Sequence, residues 1–187
     1  MTKKLQANGF TLIETVIVIA LFTMVVLVMY GIFDQHNYIY NYEQGMIAVA
    51  GSARTSENDM LTYGLQAHRV LASATVNSNT YFSGTNSLVL QLPSINSNGQ
   101  TLSNTWDYVA FYTSGSQLWE QVQADPTSAR QSLSRLLSSS LFSINFTYDN
   151  VSYPSVQNVT ANITTQNTVH NRTVQDNLIQ KIHLRNY

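Results

Sequence analysis

Residues 10 to 33, FTLIETVIVIALFTMVVLVMYGIF, run for 24 positions with one charge, Glu14. A helix of that length spans roughly 36 Å at ~1.5 Å per residue, enough for a hydrocarbon layer ~30 Å thick. The run is therefore read as a transmembrane helix, and any fold for this chain must leave it facing lipid or a protein surface of equal greasiness. Lys3 and Lys4 precede it, Asp34 follows, and no further cation appears before Arg54. The positive-inside bias then places the N-terminus in the cytoplasm and everything after Phe33 outside. Ala20 is followed by further apolar residues rather than by an A-x-A pattern, so the span is expected to be kept rather than removed as a secretory signal.

A plain anchor does not explain Glu14. A carboxylate at mid-bilayer costs up to ~2.5 to 3.5 kcal/mol on insertion scales, so either it snorkels to the interface or it has a partner. The string Lys3-Lys4, then Gly9-Phe10-Thr11-Leu12-Ile13-Glu14, then an unbroken apolar helix, resembles the type IV pilin superfamily. The resemblance implies cleavage between Gly9 and Phe10 by a prepilin peptidase, N-methylation of the new Phe10 terminus, and a mature chain of 178 residues. Gly9 suits such a bond because a residue without a side chain lets the backbone enter a protease site. It also implies that Glu14 neutralises the Phe10 amine of an adjoining subunit, a pairing made selective by low dielectric, where either charge left alone is costly. The partners implied are the peptidase, other pilin or pseudopilin subunits, inner-membrane assembly machinery and membrane lipid.

Past the membrane, Ile39, Tyr42, Met46, Val49, Ala53, Met60 and Gly64 recur in steps of three and four, with Ser56 at the missing position. That period predicts a helix from Phe10 to about His68, with residues 34–68 as an amphipathic continuation of the stem. Gly31, Gly45 and Gly51 are expected to weaken it locally. Tyr30, Tyr38, Tyr40 and Tyr42 suit an interfacial belt, with packing on the sheet favoured for the last two. After about residue 70 the pattern changes to short alternating runs, predicting antiparallel strands at 87–92, 106–113, 117–123, 142–148, 156–165 and 173–184. Tight turns are expected at Thr113 to Ser116 and at Ser97 to Gly99. Residues 127–141 read as a short helix or ordered loop. Leu88, Leu90 and Leu92, with Leu118 and Val122, are the expected cover for the helix, and Trp106 and Trp119 are expected in the core. The fold class is α+β: a long N-terminal helix packed on a C-terminal antiparallel sheet, in four parts: leader 1–9, membrane helix 10–33, continuation 34–68 and β-rich domain 69–187.

The chain as a whole is neutral and polar: 20 Ser, 19 Thr, 18 Asn and 14 Gln stand against 19 charged residues, and net charge is −1. Without a basic block, nucleic acid lacks its electrostatic footprint. The absence of cysteine removes disulfides, thiolate metal sites and Cys nucleophiles. His36, His68, His170 and His183 stand in no metal-ligand spacing, the Asn96 to Gly99 turn lacks the carboxylates a hard cation needs, and no G-x-S-x-G occurs. No cofactor, metal or catalytic residue is expected. The C-terminal stretches SLVLQLPSINSNG, WDYVAFY and IQKIHLRN are similar to minor pilin-like proteins of type IV pili and type II secretion. The reading is a structural, minor filament subunit, not an enzyme. The alternatives are a permanently anchored extracytoplasmic binding module and a stalked periplasmic hydrolase.

Overall fold

The computed structural model describes residues 11–169 and 172–185. They group into two compact units, one reaching Glu43 and one from Gln44. A single helix, α1 (Leu12–Gln66), runs through 55 residues without interruption, about 82 Å at helical rise. None of the glycines breaks it.

In the second unit the buried stripe of α1 is Gly45, Val49, Ala53, Ser56, Met60 and Gly64. Ser56, the gap in the apolar period, is fully buried, and its hydroxyl donates to the Ser52 carbonyl at 2.8 Å. A satisfied hydroxyl is no burden in a core. Met46 and Ile39, expected on that stripe, are each 45% exposed. Gly45 takes the inward place of Met46 because a Cβ there would lie 2.7 Å from Val169 Cγ2. At Gly64 a Cβ would lie 2.0 Å from Ile182 Cγ2. These glycines let strands approach the helix closely. Tyr40, expected against the sheet, is 61% exposed, because it lies off the buried stripe; Tyr42 is half-buried.

The Gly64 contact supports a prediction. Gly64→Ala gains helix propensity of up to ~1 kcal/mol but collides with a β-branched side chain that cannot swing away, a strain of roughly 1 to 3 kcal/mol. Net destabilisation is expected in a thermal melt, with recovery in the Gly64→Ala/Ile182→Ala double variant relative to Ile182→Ala alone. Additive effects would show that the two residues do not touch.

The strands are β1 (Arg69–Val70), β2 (Ser73–Val76), β3 (Asn79–Phe82), β4 (Ser87–Ile95), β5 (Thr101–Ser114), β6 (Gln117–Gln123), β7 (Leu133–Ser138), β8 (Leu141–Tyr148), β9 (Asn158–Val169) and β10 (Arg172–His183). They form a five-stranded sheet in order β1-β4-β5-β6-β7, a three-stranded sheet β10-β9-β8 and the hairpin β2-β3, and every pair is antiparallel. Leu141 N–H donates to Ser116 O at 3.0 Å and Phe146 N–H to Thr85 O at 2.8 Å, tying β8 to the loops at one end of the larger sheet, before β4 and between β5 and β6. Tyr148 and Tyr153 brace the same seam, donating to the carbonyls of Gly84 and Ser83, each at 2.9 Å. One core results: Met60 and Ala67 of the helix region pack with Leu88, Leu90, Leu92, Leu118 and Val122, as expected, together with Val109, Phe111, Ile163 and Ile182. The helix against antiparallel sheets is the α+β arrangement read from the sequence.

Three details differ from expectation. Residues 127–141 hold β7 rather than a helix or a loop. The strand pairs with β6, but the register jumps between Leu118 and Trp119, whose partners are Ser138 and Leu136. Leu137 is the extra residue of that bulge, and it interrupts the alternation that marks a strand. The segment 69–86, assigned no strands, contains β1 and the hairpin β2-β3, which turns through Asn77 and Ser78, both at positive φ, the geometry of a type I′ turn. This hairpin covers Val89 and Ala110 on the outer face of the larger sheet, which is why β4 is buried on both sides. Trp106 and Trp119 are half-buried rather than core: Trp106 stacks on His68 at 4.9 Å between ring centres, and Trp119 lies on the outer face.

Two buried carboxylates tie segments together. Asp107, fully buried, accepts from Ser94 Oγ at 2.9 Å, Asp125 N–H at 2.8 Å and Ser128 Oγ at 2.8 Å, and pairs with Arg130. Glu120, also fully buried, shares Arg135 with Asp59 of α1, at 2.8 and 2.7 Å. Burial first, and then the nearby Glu120 charge, push the Tyr63 hydroxyl up to about 12.

Candidate functional site

The site is the start of α1. Lys3, Lys4, Gly9 and Phe10 lie outside the described residues, so the description begins at Thr11. Thr11 N–H donates to Glu14 Oε2 at 2.8 Å, Thr11 Oγ1 donates to the same oxygen at 3.0 Å, and Glu14 N–H reaches back to Thr11 Oγ1 at 3.4 Å. This reciprocal arrangement is a capping box, T-x-x-E, satisfying amide donors that the first turn of any helix leaves without partners. The sequence reading placed Glu14 but gave Thr11 no role; the spacing Thr11-Leu12-Ile13-Glu14 was the available signal.

The geometry resolves how a carboxylate is tolerated at the edge of an apolar segment. Both accepted bonds fall on Oε2, and the positive end of the helix dipole adds a favourable field. A cation approaching Oε1 meets a carboxylate already oriented. Further along, the hydroxyls of Thr15 and Thr23 donate to the carbonyls of Leu12 and Ile19, each at 2.8 Å, so neither needs water in an apolar medium.

From Leu12 to Phe33 the helix is covered by exposed apolar side chains, Leu12 at 83% and Phe22 at 68% among them. Among the described residues this is one helix long and apolar enough to cross a membrane. Such a surface demands lipid or other helices around it. No group of three or more His, Asp or Glu able to hold a metal is found among the described residues.

A long helix with a capped acid at its apolar N-terminal end, packed further along on antiparallel sheets, is a pilin-like α+β arrangement. Residues 4–30 match the family model of the prokaryotic N-terminal methylation motif, and the chain thus carries the type IV pilin signature. No curated protein and no solved structure matches the chain significantly. The motif implies prepilin peptidase processing and pilin assembly with other subunits; the type IV pilin family, whose signature it is, is structural rather than catalytic. The apolar helix and the motif together fit a membrane-anchored pilin.

Proposed function

We propose that this chain is a minor subunit of a type IV pilus or type II secretion pseudopilus. It is cut between Gly9 and Phe10, methylated on Phe10, and held in the cytoplasmic membrane with its β-rich domain outside. Assembly machinery in that membrane then moves it into a filament, where residues 12–33 exchange lipid contacts for subunit contacts. Glu14 meets the Phe10 amine of the next copy and so fixes the stagger between subunits. The observation that carries the reading is the methylation motif at residues 4–30 leading directly into an exposed apolar helix whose first turn holds an oriented carboxylate.

Processing is tested at Gly9. Gly9→Leu puts a bulky side chain where the backbone must enter the protease. The precursor is expected to accumulate with its nine-residue leader and without a methyl group, read by mass spectrometry of membranes. Cleavage at the wild-type rate would move the processed bond elsewhere.

A further inference from the structure

Two short segments of α1 complement each other. Tyr40 and Glu43 stand three residues apart, and so do Gly51 and Arg54. All four are exposed. Tyr40 is 61% exposed, whereas a Cβ built on Gly51 meets nothing within 4 Å. A large ring without a seat thus answers an open seat without a side chain. Glu43 and Arg54 enter none of the ion pairs found among the described residues. Glu57, one turn beyond Arg54, does not pair with it either.

Tyr40 is eleven residues before Gly51, and Glu43 is eleven before Arg54. Eleven residues make about three turns and roughly 16 Å of helix, so neither pair can meet within one chain. In a parallel second copy displaced by three turns both pairs meet together, because eleven residues return to nearly the same helical face.

We propose that these segments form a contact between two copies of this chain, with Tyr40 of one seated over Gly51 of the next and Glu43 paired with Arg54. The contact rests on the filament reading above and names a further neighbour within it. Its three-turn shift differs from the four-residue shift, roughly 6 Å, by which Glu14 reaches the Phe10 amine, so the two contacts belong to different neighbours. The chain itself selects the occupant: size and charge are complementary at both positions and at the same spacing. A glycine at the contact lets two helices approach closely, and Ile39, 45% exposed, comes beside Ala50 and adds apolar area. With both stems running the same way through one membrane the contact is head-to-tail, and such contacts propagate rather than close. Copies standing level in the membrane set Glu43 opposite Glu43, where like charges repel. The contact therefore forms only once one copy has risen past another.

The test uses the full chain, which has no cysteine. A Tyr40→Cys/Gly51→Cys variant is oxidised in cells, and its membrane and sheared-filament fractions are compared on non-reducing gels. A separation of roughly 16 Å within one chain excludes an internal disulfide, which needs Cα atoms ~4.4 to 6.8 Å apart. A ladder of linked copies is expected in filaments and monomer alone in membranes. Glu43→Arg and Arg54→Glu are each expected to lower the filament-bound chain about tenfold at unchanged membrane level, and the double reversal Glu43→Arg/Arg54→Glu to restore it. Filaments that contain the chain but give no ladder overturn this contact alone, and so does a double reversal no better than the single changes. Links that stop at dimers make the contact two-fold and overturn it too. A wild-type chain that keeps its leader and enters no filament overturns the filament reading together with the contact.

Discussion

Asp107→Ala is expected to cost roughly 3 to 5 kcal/mol of stability, the penalty for breaking a buried ion pair by deleting one partner. Small domains have about 5 to 15 kcal/mol in total, so the variant should sit near the edge of folding. The carboxylate is fully buried and answers donors from Ser94 on β4 and from Asp125, Ser128 and Arg130 in the segment between β6 and β7. Removal strands the Arg130 guanidinium, which also donates to Pro93 O at 3.3 Å and to Gln66 Oε1 at 2.9 Å at the end of α1. Asp107→Asn keeps an acceptor and loses the charge, and should fall between the two. Thermal melts followed by near-ultraviolet dichroism measure the series. An Asp107→Ala melt within a few degrees of wild type would show that the network adds little.

Glu14→Ala is expected to leave a protein that accumulates in the membrane and is absent from filaments. Removing the carboxylate lifts a membrane cost of up to ~2.5 to 3.5 kcal/mol, so storage in lipid becomes easier. The assembled state loses the counterion of a neighbouring amine, and an unpaired charge between packed helices is costly by several kcal/mol. The capping box adds a way to separate two roles of the same side chain. Glu14→Gln preserves a side-chain acceptor for Thr11 N–H, since Gln also serves at this position, but it abolishes the charge. Thr11→Ala removes a cap worth ~1 kcal/mol and leaves the charge in place. If charge sets the stagger, Glu14→Gln fails to enter filaments while Thr11→Ala still does, as counted in sheared filament fractions. The reverse ranking would make Glu14 a cap and nothing more.

Much of the fold was legible because its residues advertise a period. The α1 stripe at Val49, Ala53 and Met60 follows helical spacing, β6 was placed to the residue at 117–123, and Gly115 at positive φ closes the expected hairpin before it. Illegible parts depend on partners distant in sequence. Gly45 and Gly64 look like weak points in a helix until Val169 and Ile182 arrive to fill the space. The β7 strand hides behind the bulge at Leu137, and Asp107 has no local pattern at all, since its donors come from four separate positions. At the candidate site the opposite holds. The string from Gly9 to Glu14 is contiguous and chemically specific, and the Thr11 cap is itself a local motif, T-x-x-E, visible in that string.

The decisive measurement is the intact mass and terminal sequence of the chain purified from its own membrane. The account predicts a polypeptide that begins with N-methylated Phe10, continues Thr11-Leu12-Ile13, and has Glu14 as its fifth residue. A chain that still begins at Met1, with an unmodified leader, would contradict it.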